Sequence, residues 1–325
     1  MDPRVVDCLA PYLIPALNEV VAEYGGFAGV NSQTLQKVPV PTRFLRAFPD
    51  GRLLSVHSCY GQSDLLLMWD LSSAEPSRVL EKEVHVVGRI IVLSNGTLAL
   101  LNHKTILCHL EFWDIKNLSA PKLIHSSDQS DDSTRSLLEL RGKSRLAAGT
   151  NSGRINVYDL ETFTETLVLT NARKDAVNDM AELGDNNLAV LYENNRVQVW
   201  NLNRCEFVWT SEFECGALAV LDHGRYGRYE RFDLVVTKVS TSAIVVFEGG
   251  PQNGFITLDT QGCFFTWFEV LLNGKLVSVS RAGIIRVWDN YAQQIKTPSA
   301  ISGCVVLPNG SVATAHYDNV IRIWT

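Results

Sequence analysis

The 325-residue chain has no uninterrupted apolar run near the ~18 residues that a membrane span requires. Its first residues, MDPRVVDCLAPYLIP, lack the basic segment and clean apolar stretch of a secretory signal. No Cys-x-x-Cys pair occurs. The seven cysteines (Cys8, Cys59, Cys108, Cys205, Cys215, Cys263, Cys304) are odd in number and scattered, which predicts reduced thiols in a cytoplasmic protein, the nucleus not being excluded. Gly-x-Ser-x-Gly, His-Glu-x-x-His, Walker and Gly-x-Gly-x-x-Gly motifs are all missing, so the common motif-borne chemistries have no support. The seven histidines show no ligand spacing, and neither metal nor cofactor is expected. An excess of basic charge is also lacking. The net charge of −6 gives no global reason to seek nucleic acid or anionic membranes.

What is present is an internal repeat. Apolar residues make up 46% of the chain, enough for a large core. The runs LLLMWDL, HLEFWDI, RINVYDL, RVQVWNL, AIVVFEG, IIRVWDN and VIRIWT end in or near Trp69, Trp113, Tyr158, Trp200, Phe247, Trp288 and Trp324. Successive spacings are 44, 45, 42, 47, 41 and 36 residues. A second series of apolar runs ends at Phe48, Leu93, Leu140, Leu183, Leu221, Leu271 and Leu307, 17 to 26 residues before its partner aromatic. Three residues after five of these markers stands a glycine: Gly51, Gly96, Gly224, Gly274 and Gly310. Four of the five follow Asp or Asn, which predicts type I′ hairpin turns.

The Trp69-Asp70, Trp113-Asp114, Tyr158-Asp159 and Trp288-Asp289 pairs, with Trp200-Asn201 one step away, resemble the WD-repeat family of β-propellers over nearly the whole chain. The resemblance implies an all-β fold, a seven-bladed β-propeller of four-stranded antiparallel blades. The family's Gly-His dipeptide is absent, and an Asp before the third strand occurs only as Asp64 and Asp318. The buried Asp-His-Ser-Trp network is therefore expected to be mostly missing, with apolar stacking holding the blades.

The last repeat reaches Thr325 without a fourth strand, and an unclosed ring would leave unpaired edges. Thr34–Val40 is the expected closing strand, its Pro39 tolerated on an outer edge. The domain reading is a helical extension over 1–33 and the propeller over 34–325. Within the extension Leu17, Val20, Val21 and Tyr24 fall at helical spacing, a cap on the propeller or a docking helix.

The resemblance also implies a non-catalytic scaffold, monomeric in itself, that binds a protein or peptide on its top face, without nucleic acid or membrane. Alternatives are a substrate-recruiting subunit of a ubiquitin ligase, docking through residues 1–30, and an enzyme using the channel mouth. Three residues before each marker the side chain is always apolar (Leu45, Ile90, Leu137, Met180, Leu218, Phe268, Cys304), a register expected to face the neighbouring blade. Four before come Phe44, Arg89, Ser136, Asp179, Ala217, Trp267 and Gly303, expected at the upper channel. Trp267 with Arg89, Asp179 and Phe44 is the candidate partner site. A second candidate is the fifth repeat's insertion, where Arg225, Tyr226, Arg228 and Tyr229 interleave guanidinium and aromatic groups.

Overall fold

The computed structural model describes residues 33–35, 40–58, 63–72, 77–85, 87–102, 109–115, 121–127, 132–142, 144–184, 186–222, 232–271, 274–288 and 293–324. Residues 1–32 of the helical extension and the Arg225–Tyr229 insertion lie outside them. The strands form seven four-stranded antiparallel sheets, the blades of a seven-bladed β-propeller. By contact density the chain divides into two units, one spanning 1–84 and 267–325 and the other 85–266.

In the first unit, blade one runs β2 to β5 (Thr42–Ala47, Leu53–Ser58, Ser63–Asp70, Ser77–His85) and blade six runs β22 to β25 (Trp267–Val270, Leu276–Ser280, Ile284–Trp288, Gln293–Lys296). Blade seven joins β26 to β28 (Ile301–Val306, Val312–His316, Ile321–Trp324) to β1 (Gln33–Thr34). Gln33 pairs with Ile323 and Thr34 with Arg322, and the Leu35 N–H donates to the Ile321 carbonyl at 3.0 Å. An N-terminal strand therefore completes the last blade. The described part of this strand, Gln33–Thr34, meets the expected Thr34–Val40 segment at its start; residues 36–39 of that segment lie outside the described residues, and Leu35 packs in the core with Ile321 and Ile323.

The second unit holds blades two to five. They are β6 to β9 (Val87–Val92, Leu98–Asn102, His109–Asp114, Lys122–Ser126), β10 to β13 (Thr134–Leu140, Arg145–Thr150, Arg154–Asp159, Glu165–Thr170), β14 to β17 (Val177–Leu183, Asn187–Tyr192, Val197–Asn201, Glu206–Thr210) and β18 to β21 (Cys215–Asp222, Phe232–Lys238, Ile244–Phe247, Ile256–Leu258). Second strands are buried almost throughout in both units, as in LLSVHS, LALLN and VATAH. Covered on both faces, they also bury polar side chains at alternate positions, Ser55 and His57 in LLSVHS and Thr314 and His316 in VATAH.

The glycine turns are real, but of another type. Phe48 N–H donates to the Arg52 carbonyl and Gly51 N–H to the Phe48 carbonyl, and the pattern recurs at Leu93–Thr97, Leu271–Lys275 and Leu307–Ser311. Among the described residues of these turns only the glycines have positive φ (91°, 81°, 80° and 89°), while Asp50, Asn95 and Asn309 do not. These are three-residue loops, a type I turn followed by a left-handed glycine, rather than type I′. The side chains explain the choice. Pro49 and Pro308 preset the second turn position, and the Asp50, Asn95 and Asn309 oxygens accept the N–H two residues on.

The hydrogen-bond network expected to be mostly missing is present, without its Asp, in blades one and seven. In blade one the Trp69 indole donates to Ser55 Oγ at 2.8 Å, Ser55 Oγ meets His57 Nε2 at 2.8 Å, and His57 Nδ1 faces the Val40 carbonyl at 3.2 Å. Blade seven repeats the chain through Trp324, Thr314, His316 and the Ser299 carbonyl. A carbonyl only accepts, so Nδ1 carries the proton in both histidines and Nε2 accepts from the hydroxyl. Burial holds each neutral, with a pKa of about 4, against the pull of the carbonyl it faces. The histidine comes from the end of the second strand, two residues past the hydroxyl, which is why a search for Gly-His missed it. Other blades satisfy the indole differently: Trp288 on Ser278, Trp200 on the Tyr192 hydroxyl, and Trp113 on Glu111.

Cys205, Cys215, Cys263 and Cys304 are free thiols. Burial pushes Cys215 up to about 11, so it is a packing residue rather than a nucleophile. Among the described residues no helix is long and apolar enough to cross a membrane.

Candidate functional site

The top side of each blade is where the first strand begins and the second ends. The structure places a feature there that side-chain alternation does not show. In β2, β6, β10, β14, β18 and β26 the register shifts near the start of the strand, between Thr42 and Phe44, Val87 and Ile90, Thr134 and Ser136, Val177 and Asp179, Cys215 and Leu218, and Ile301 and Gly303. Each is a bulge, which adds an unpaired residue and re-aims side chains. The residue five before the marker falls in every one: Arg43, Gly88, Arg135, Asn178, Gly216 and Ser302.

The bulges decide what the top side carries. The register three before the marker buries Leu45, Ile90, Met180, Leu218 and Cys304, but leaves Leu137 and Phe268 half-buried. Of the register four before, Ser136, Ala217 and Gly303 are buried, which corrects the expectation that this whole set lines a channel mouth. Phe44, Arg89 and Trp267 are half-buried, and Asp179 is exposed.

Within the second unit, Arg89 and Asp179 stand on β6 and β14, either side of β10, and the link between them runs through a residue sequence reasoning missed. The Arg89 Nε–H donates to the Arg135 carbonyl. Arg135 in turn donates from Nη1 to Asn178 Oδ1 and to Glu193 Oε1, both at 3.1 Å. Asn178 adjoins Asp179, whose carboxylate accepts the Met180 N–H at 2.9 Å. Three consecutive blades are thus joined along their top edge. The Arg135 side chain is 38% exposed, so its pair with Glu193 adds at most ~1 kcal/mol and serves orientation more than stability.

In the first unit, Trp267 packs against the core shared by blades six and seven, with the Arg281 guanidinium 5.8 Å from its ring centroid. Arg43 lies 5.1 Å from the Phe44 ring centroid, and its Nη1 is 3.7 Å from the buried Asp64 carboxylate. Trp267 and Phe44 belong to this unit, Arg89 and Asp179 to the other.

Among the described residues no group of His, Cys, Asp and Glu could hold a metal ion. Asp132, Ser152 and Thr150 form a polar cluster in blade three, but its hydrogen bonds close the turn itself. The second unit presents Arg135, Glu193 and Asp179 along its top side, and the first unit presents Trp267 and Phe44 on its own.

No protein-family model matches this sequence, and no curated protein matches it. Among solved structures, the WD40 β-propeller domain of Doa1 superposes with a TM-score of 0.67 at 16% identity, covering 90% of this chain and 96% of that one. The chain has the fold of the WD40 β-propellers, a class that commonly serves as protein-interaction scaffolds.

Proposed function

We propose that the chain is a non-catalytic interaction scaffold that grips a protein or peptide partner on the top side of its blades, with Arg135, Arg89 and Asp179 in contact. The observation that carries this reading is the state of Arg135. Its Nη1 is held by Asn178 and Glu193, while Nε and Nη2 have no partner among the described residues. That second edge is the bidentate face of a guanidinium, and it fits a carboxylate on the partner. Holding one edge fixed reduces the ordering cost of using the other. On the second unit Asp179 adds a carboxylate for a basic partner group; on the first, Trp267 and Phe44 supply apolar area of the kind that anchors interfaces.

The test is affinity capture with the full chain against Arg135→Ala and Asp179→Lys, each checked for an unchanged melting temperature. Proteins retained by the parent and depleted at least tenfold by Arg135→Ala support the reading. An identical retained set in all three contradicts it.

A further inference from the structure

On the opposite side of the second unit, where first strands end and third strands end, a cavity of about 330 Å³ opens between blades four and five. Leu183, Val199, Val208, Trp209 and Phe232 make its walls. Asn187, Pro251, Gln252, Asn253 and the backbone of Gly184, Gly249 and Gly250 complete the lining. It shares no residue with the top-side site.

The cavity is built rather than incidental. A Cβ on Gly184 would collide with the Phe232 ring, so the glycine lets that ring lie directly on the backbone. The rim from 249 to 253 is fixed by Gly249 N–H on Asp233 Oδ1 at 2.7 Å and by Asn253 Nδ2 on the Gly249 carbonyl at 3.0 Å. Asn187 is fully engaged, donating to the Gly184 carbonyl and accepting from Asn201. Asn253 Oδ1 remains as an acceptor, and the exposed Gln252 amide has no partner among the described residues.

Its chemistry restricts the occupant. No charged side chain is in the lining, so an ion placed there would be desolvated without compensation. The exposed lining is somewhat more polar than apolar, so the cavity suits an uncharged side chain carried between peptide groups, which the amides and backbone at the rim can donate to and accept from. The apolar surface also continues outward. The Trp209 ring meets Phe247 at 5.3 Å, and Phe247 meets Phe255 at 5.6 Å. Phe255 is 55% exposed, with Ile256 at 46% and Val208 at 43%. A compact small molecule would leave those uncovered, whereas a chain passing over the cavity covers them.

We propose that this cavity receives a leucine or aromatic side chain of a partner polypeptide, with the partner's neighbouring main-chain groups on Gln252 and Asn253. The site is independent of the top-side reading and stands or falls without it.

The experiment follows the Trp209 indole N–H resonance of the ¹⁵N-labelled full chain, assigned with Trp209→Phe. It is titrated with N-acetyl-leucinamide, N-acetyl-phenylalaninamide, N-acetyl-lysinamide and toluene. The first two are expected to shift it saturably in the millimolar range, with the lysine probe at least tenfold weaker. Val208→Arg should weaken the two apolar amides at least tenfold, and Asn253→Ala, on the exposed rim, at least threefold. Absence of saturation, equal shifts by the lysine probe, or full binding in both variants overturns the proposal. Toluene matching the amides, with Asn253→Ala indifferent, overturns the polypeptide assignment in favour of a generic apolar cavity.

Discussion

Trp324 donates its indole N–H to Thr314 Oγ1 at 2.7 Å, so the aromatic that marks the last repeat is tied to the strand beside it. The same hydroxyl meets His316 Nε2 at 2.7 Å. Thr314→Val keeps the shape and removes the hydroxyl, leaving a buried donor and a buried acceptor unsatisfied. Each costs ~1–3 kcal/mol. Thermal denaturation should show the midpoint several degrees lower; an unchanged midpoint would mean the hydrogen-bond chain contributes nothing.

His57 and His316 should make the fold acid-sensitive. Both are neutral in the core with a pKa of about 4, whereas an unfolded histidine titrates near 6.5. Below pH 6.5 the unfolded chain binds more protons than the folded one, so stability falls with pH until about 4. At pH 5 the loss is ~2 kcal/mol per histidine relative to pH 8. Urea unfolding at the two pH values checks it, and His316→Gln should halve the difference contributed by the pair. A stability equal at pH 8 and pH 5 would contradict the neutral assignment.

Two glycines of blade seven should respond oppositely to alanine. At Gly310 φ is 89°, so Gly310→Ala meets backbone strain, ~1–2 kcal/mol destabilising. Gly303 lies outside the left-handed region with nothing within 4 Å of an added Cβ, and Gly303→Ala should stabilise by ~0.5 kcal/mol by restricting the unfolded chain. Equal effects of the two in a urea titration would refute the turn geometry.

Blade number and turn positions were legible because the repeated aromatics and Asp-Gly or Asn-Gly pairs act locally. Turn type was not, since it depends on whether Asp50 or Asn309 itself takes positive φ, and the preceding proline and the Asx hydrogen bond decide against it. The top side was half legible. Counting by twos from Leu93 finds Arg89, but a bulge adds a residue and ends strict alternation, so Arg135 escaped. The run Arg43, Gly88, Arg135, Asn178, Gly216 and Ser302, all polar or glycine at one register, was the available signal. The histidine chains escaped because the motif was sought as a dipeptide, while the spacing of Ser55 to His57 and Thr314 to His316 is fixed by neighbouring side chains on one face of a strand.

The most direct measurement of the central claim is the affinity of a captured partner for the full chain and for Arg135→Ala, by calorimetry at physiological salt. A desolvated guanidinium–carboxylate contact predicts at least a tenfold loss of affinity with Arg135→Ala, an unchanged melting temperature, and no loss with Val208→Arg on the opposite side. Affinity untouched by Arg135→Ala and lost with Val208→Arg would place the functional surface on the other side of the blades and contradict the account.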